Sequence, residues 1–213
     1  INAVNTGTVN LDVAAATGPA TVNAAVGAAV SIDADSGNGA DKVSMLTLGN
    51  GGTFTHQGET GSFLGAGNNG NKITCERTAG NCAAFGQKSG RITILDGTGD
   101  DAGARMSGGL LVIRGDSGIR IGGGMSGGDI VVHGDVGGDP GAGMTGGRII
   151  INGRCPTPPP GVLLRTLEKN EVKEINKLLA DEELQIPADA VCLVPDGSAT
   201  EGIMADCRED LSG

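Results

Sequence analysis

Apolar and polar positions alternate along short stretches of this chain, and the stretches recur at a constant interval. Residues 110 to 114 run Leu-Leu-Val-Ile-Arg, 129 to 133 Asp-Ile-Val-Val-His, and 148 to 152 Arg-Ile-Ile-Ile-Asn. Successive side chains of a strand point to opposite faces. One face therefore carries Leu111 and Ile113, Ile130 and Val132, Ile149 and Ile151. The other carries Leu110, Val112 and Arg114, Asp129, Val131 and His133, Arg148, Ile150 and Asn152. The first face predicts a core and the second a surface at least partly wet. The interval is 19 residues: Phe54, Ile73, Ile92, Leu111, Ile130 and Ile149 form one column, and His56, Cys75, Ile94, Ile113, Val132 and Ile151 another. A fixed period of this length marks a solenoid.

Between the strands lie glycine and turn residues, as in GTGDDAGARMSGG, GDSGIRIGGGMSGG and GDVGGDPGAGMTGG. Each glycine costs a helix about 1 kcal/mol against alanine, whereas a coil that turns several corners needs glycine's backbone freedom. The pattern predicts an all-β fold: a single-stranded, right-handed parallel β-helix of about six 19-residue coils with a C-terminal helix. Met106, Met125 and Met144 share a phase and are expected to fill a corner of the core.

Three regions follow. Residues 1–49 hold short alternating runs off the 19-residue register and predict an irregular β N-terminal cap. Residues 50–153 are the repeat. Residues 154–213 are a proline-rich exit, an amphipathic helix and a C-terminal tail. The helix is expected over 167–180, with Thr166 as N-cap and Leu167, Val172, Ile175, Leu178 and Leu179 as its apolar stripe. Its position after the exit suggests that it packs over the open end of the β-helix. Residues 186–195 suggest one more strand.

Composition narrows the function. The chain has 213 residues, 40 of them glycine, with three Phe and no Trp or Tyr. Its core must be a thin aliphatic stack. A net charge of −10 disfavours nucleic acid and anionic membranes as partners. No apolar run is long enough to span a bilayer. The five cysteines, Cys75, Cys82, Cys155, Cys192 and Cys207, are odd in number and irregular in spacing, which favours reduced thiols and a cytoplasmic setting over a disulfide framework.

No catalytic, cofactor-binding or metal-binding residue is assigned. His56 is at an inward phase and reads as a core or cap histidine; His133 is expected to be outward and solvated. Asp96, Asp100, Asp101, Asp116, Asp135 and Asp139 cluster in the glycine corners, but do not recur as calcium rolls require, so they are expected to form turns. Gly122-Gly123-Gly124 precedes a strand where a nucleotide-binding loop precedes a helix. The Ser107, Ser126 and Thr145 column includes the letters of a nucleophile elbow around Ser126, without its strand-to-helix context.

The Gly-x-Met-[Ser/Thr]-Gly-Gly-x-[Ile/Leu]-x-[Val/Ile]-x-Gly units at 103–115, 122–134 and 141–153 resemble the GXGXG-repeat family. That family includes the C-terminal β-helix domain of the glutamate synthase large subunit and the GXGXG-bearing subunit of formylmethanofuran dehydrogenase. The resemblance covers residues 50–153. It implies a scaffold subunit of an oxidoreductase or amidotransferase complex, without catalytic residues of its own. Flavin, iron–sulfur or molybdopterin groups would then sit only in partner subunits. A glutamate synthase-like complex is the first expectation and a tungsten or molybdenum formylmethanofuran dehydrogenase the alternative. A stand-alone enzyme with a site beside the C-terminal helix is the competing reading, and a homo-oligomer is compatible with all three.

Overall fold

A computed structural model gives the three-dimensional structure. It describes residues 51–56, 58–180 and 184–197 in full, together with the backbone of five strands before residue 49. Those strands are β1 (Asn2–Ala3), β2 (Thr8–Asp12), β3 (Ala20–Ala24), β4 (Ala29–Asp33) and β5 (Val43–Leu48). The repeat supplies β6 (Thr53–His56), β7 (Asn69–Cys75), β8 (Ser89–Ile94), β9 (Ser107–Ile113), β10 (Ser126–Val132) and β11 (Gly146–Ile151). Then come β12 (Val162–Thr166), the helix α1 (Lys169–Leu179) and β13 (Val191–Pro195).

The chain is a parallel β-solenoid of about five turns. Strands β6 to β11 pair in parallel, each with the next, and Phe54 lies opposite Ile73, Ile73 opposite Ile92 and Ile130 opposite Ile149. The 19-residue interval is thus the length of one coil. A second ladder stacks single residues: Thr60 on Ala79, Thr98, Ser117 and Val136. Between the ladders, alternate amides donate to the coil ahead and the coil behind. Cys82 N donates to Asp100 O (2.7 Å), Ala84 N to Leu64 O (2.7 Å) and Gly86 N to Ala104 O (2.8 Å). Buried backbone groups must be paired, and this alternation pairs them without regular secondary structure.

The alternation needs left-handed backbone. Phe63, Cys82, Asp101, Arg120 and Asp139 all have φ between 55° and 66°, and they stand at one phase of successive coils. None is glycine, so the column is invisible to a search for glycine. Where the backbone itself closes in, glycine is required. Gly128 has φ +89°, and a Cβ there would lie 2.8 Å from the Gly108 carbonyl carbon.

The inner face packs as predicted. Phe54, Ile92, Ile94, Leu111, Ile113, Ile130 and Ile149 are fully buried, with Met106, Met125 and Met144 beside them. Asn68 and Gln87 hold the methionine phase in the earlier coils and are also buried. There the corner is filled by side-chain amides: Asn68 Nδ2 donates to Asn71 O (3.0 Å) and Gln87 Nε2 to Gly90 O (3.1 Å).

The N-terminal strands explain their departure from register. β2 pairs in parallel with β4 and β4 with β6, placing Thr8 opposite Ala29 and Ala29 opposite Thr53. They continue the main ladder with offsets longer than 19. A separate three-stranded sheet holds β1, β3 and β5.

The C-terminal elements differ from expectation in three ways. The helix begins later: Thr166 closes β12 and Glu168 is the N-cap, its amide donating to Glu171 Oε2 (2.9 Å) in a capping box. The strand β12 is an addition to the expected elements. It pairs antiparallel with β13, which returns after the helix, and β13 pairs antiparallel with β11, so the two strands extend the sheet past the last coil. The helix therefore does not cover the open end. It lies on the outer face of the sheet, where Leu167, Ile175, Leu179, Ile186, Ala190 and Cys192 cluster with Leu110, Val112, Val131 and Ile150. The outer face, expected to be partly wet, has a dry apolar centre because the helix covers it. Leu178, included in the expected stripe, is 38% exposed.

Candidate functional site

The helix seat is a dense polar arrangement among the described residues. Arg148 on β11 holds Asp129 on β10 through Nε (2.7 Å) and Nη2 (3.1 Å) and reaches Glu174 on the helix (3.4 Å). Arg165 on β12 makes a two-pronged pair with Glu171 (2.7 Å each). The Arg91 guanidinium on β8 donates to the Leu178 carbonyl. The helix thus crosses the strands from β12 toward β8, and both its paired acids turn to arginines of the sheet. Hydrogen bonds from Arg165 pull the Glu171 carboxyl down to about 2, and the bonds to Asp129 hold Arg148 firmly charged. Two-pronged pairs of this kind fix orientation. All the carboxylates named here are engaged by arginine.

Charged pairs elsewhere join neighbouring coils. Arg120 bonds both oxygens of Asp101 (2.8 and 2.6 Å), and Arg154 Nε bonds Asp135 Oδ2 (2.7 Å). Each pair is 19 residues apart. Opposite charges one period apart are the sequence signal for these bridges, and for Asp129 and Arg148, that the strand pattern alone does not exploit.

Three of the corner aspartates act as backbone acceptors. Asp100 Oδ1 takes the Ile119 amide (3.0 Å), Asp116 Oδ1 the Asp135 amide (2.8 Å) and Asp135 Oδ1 the Arg154 amide (2.8 Å). Asn81 does the same for Asp100 (3.0 Å). Among the described residues, no group of three or more His, Cys, Asp or Glu could hold a metal ion.

The two histidines are far apart in the coil stack. His56 is fully buried; its Nε2 lies 3.0 Å from Glu59 O and its Nδ1 has no partner. Burial pushes its pKa down. His133 faces outward as expected but is half-buried, not solvated. Its Nε2 has no partner, and burial together with the Arg114 charge lowers its pKa.

Cys75 is fully buried against carbonyls of Gly58 (3.5 Å) and Arg77 (3.3 Å). Burial raises its pKa and pushes that of Cys192 up to about 11. Cys82 and Cys155 are partly exposed, and burial raises both. All four are free thiols; Cys207 lies outside the described residues. A nucleophilic cysteine needs its thiolate favoured, and here the thiol is favoured in every case. Ser107 and Ser126 are the exposed first residues of β9 and β10 and exposed Thr145 directly precedes β11, so the column expected to form turns stands at the strand entries instead.

Exposed apolar side chains form the remaining surface signal. Phe63 is 55% exposed and meets Phe85 edge to face, with the Arg105 guanidinium 5.9 Å from the Phe85 ring centre. Leu163 and Leu164 on β12 are 49% and 41% exposed. No helix among the described residues is long and apolar enough to cross a membrane. No protein-family model matches the chain, and no curated protein matches it.

Proposed function

We propose that this chain is a non-catalytic scaffold subunit of an oxidoreductase complex of the glutamate synthase type, positioning amidotransferase and synthase parts. The observation that carries the reading is where the polar groups end. Asp100, Asp116 and Asp135 bind backbone amides, Glu171 and Glu174 bind arginines, and burial favours the protonated form of Cys75, Cys82, Cys155 and Cys192. These are groups from which hydrolytic or redox chemistry is built, and here the carboxylates Asp100, Asp116, Asp135 and Glu171 serve to join coils and seat the helix. What stays available is a regular surface with exposed Phe63, Leu163 and Leu164. The partner type rests on the resemblance of the units at 103–115, 122–134 and 141–153 to the GXGXG repeat. In this reading, flavin and iron–sulfur groups belong to the partners and the setting is cytoplasmic.

The test is affinity purification of the tagged chain from its native host, with mass spectrometry of the co-purifying proteins. Glutamate synthase-type subunits are the expected result. Tungsten or molybdenum formyl-dehydrogenase subunits would move the scaffold to one-carbon metabolism. Substrate turnover by the purified chain alone would overturn the scaffold reading.

A further inference from the structure

The main sheet ends at β12, whose outer edge has no strand partner among the described residues. The antiparallel pairing of β12 with β13 shows which backbone groups are left over. Asp196 N donates to Gly161 O (2.9 Å), so Gly161 and Asp196 form a hydrogen-bonded pair. Such pairs alternate along an antiparallel ladder. Leu163 and Arg165 therefore direct their backbone groups to β13, while Leu164 and Thr166 aim theirs at the open edge, where Thr166 O already accepts from Arg165 Nη1 (3.1 Å). Val162 N is already taken by Pro159 O (3.2 Å).

An open edge is a template for another strand, and proteins that avoid this use lysine, proline, a bulge or a cover. Between Val162 and Thr166 there is no lysine, proline or glycine. The single charge, Arg165, is neutralised by Glu171 at 2.7 Å. The chain carries −10 overall, so two copies repel generally and least at this locally neutral strand. Leu163 and Leu164 are two of the five exposed large apolar residues among those described.

We propose that a second copy of this chain pairs antiparallel with the β12 edge, joining two solenoids end to end in one continuous sheet. A twofold axis normal to the sheet sets each residue opposite one of the same face, so it centres on Leu163 or on Leu164. Centred on Leu163, it sets Leu163 against its own copy and Val162 against Leu164, so all three apolar residues meet apolar residues; the Leu164 amide of each copy then donates to the Val162 carbonyl of the other, while Val162 N stays on Pro159 O. Cross-strand pairs of this type are the unit of sheet stabilisation. Isologous contact also closes the assembly at two copies. The proposal concerns self-association and is independent of which complex the chain serves.

Analytical ultracentrifugation of the recombinant full chain over a concentration series tests it. A reversible dimer, strengthened by salt, is expected. Leu164→Pro removes an amide that faces the edge and leaves the bonds to β13 in place; it should raise the dimer dissociation constant about tenfold or more with an unchanged circular dichroism spectrum. Leu164→Lys should act alike and serves if the proline variant misfolds. Leu163 would sit at a non-hydrogen-bonded pair, where Cα atoms approach to about 4.5 Å, within disulfide reach. Leu163→Cys should therefore join the two copies through a disulfide between the introduced thiols, identified by peptide mapping. A strictly monomeric wild-type chain overturns the proposal. So does a dimer that folded Leu164→Lys leaves intact, or a monomer that dimerises only once residues 198–213 are removed, since the tail would then be the native cover.

Discussion

One glycine column meets the isoleucine column at the tightest corner of the core. A Cβ added at Gly103 would meet Ile130 Cδ1 at 2.4 Å, one at Gly122 would meet Ile149 Cδ1 at 2.5 Å, and one at Gly65 would meet Ile92 Cδ1 at 2.4 Å. Ala84 stands at the same phase with φ 59° and is fully buried, and the residue at the matching place opposite it is Leu111, not isoleucine. An isoleucine δ-methyl and an alanine β-methyl thus compete for one space. Gly103→Ala should destabilise by about 1–3 kcal/mol, from the left-handed backbone and from overpacking. In an Ile130→Val background the cost should shrink toward the backbone part alone. A double-mutant cycle by urea denaturation reads the coupling; strict additivity would show that the δ-methyl is not the obstacle. The thiols make a second residue-scale prediction. With an aromatic disulfide reagent near pH 8, Cys82 and Cys155 should react before unfolding, while Cys75 and Cys192 wait for it. Rapid labelling of Cys192 in the native chain would contradict the burial that pushes its thiol up to about 11.

At the scale of elements, the helix is held by Glu171 at three points: its own cap, Arg165, and Arg148 at 3.7 Å. Glu171→Ala should cost about 1–2 kcal/mol, from a lost cap and a lost ion pair. Glu171→Gln should cost less, because glutamine can still close a capping box. Guanidinium denaturation separates the two, and equal losses would place the whole effect in the charge. The strands and inner columns were legible because a buried face at period two, repeated every 19 residues, admits few other folds. The seat of the helix was not legible. Leu110, Val112, Val131 and Ile150 alternate with Arg114, Asp129, Arg148 and Asn152, so the face looks mixed until coils are stacked and its apolar residues merge into one patch. The cap shifts from Thr166 to Glu168 because Thr166 pairs with Val191 in a strand that the leucine run around 163 does not by itself suggest. The absence of an assigned site has a similar origin. Of the aspartates that look like a cluster in sequence, Asp100, Asp116 and Asp135 are each bound to an amide of the next coil and Asp101 to the Arg120 side chain.

For the whole molecule, pH and length are the two global handles. His56 and His133 have pKa values below the ordinary 6.5 in the folded chain, so the unfolded chain binds protons first as pH falls. Stability should be full above that value and decline below it. A second loss, between about 4.5 and about 2, follows from Glu171, whose carboxylate is favoured in the fold. Urea midpoints at pH 8, 6, 5 and 3 should show both stages, and His56→Leu should weaken the first; an unchanged profile would mean that the buried ring is not the acid-sensitive group. Length tests the solenoid itself. Because each coil bonds only to its neighbours, stability is close to a sum over coils and interfaces. Deleting residues 55–73 joins Phe54 to Thr74 and fuses β6 with β7 in phase, leaving the helix platform on β8 to β11 untouched. The shortened chain should fold cooperatively with a smaller denaturant m-value, since less surface is exposed on unfolding. Deleting residues 55–63 instead brings Leu64 to the place after Phe54 and loses the ladder residue Thr60 without completing a coil. That chain should lose cooperative unfolding. If both deletions behaved alike, the 19-residue coil would not be the unit in which this structure is built.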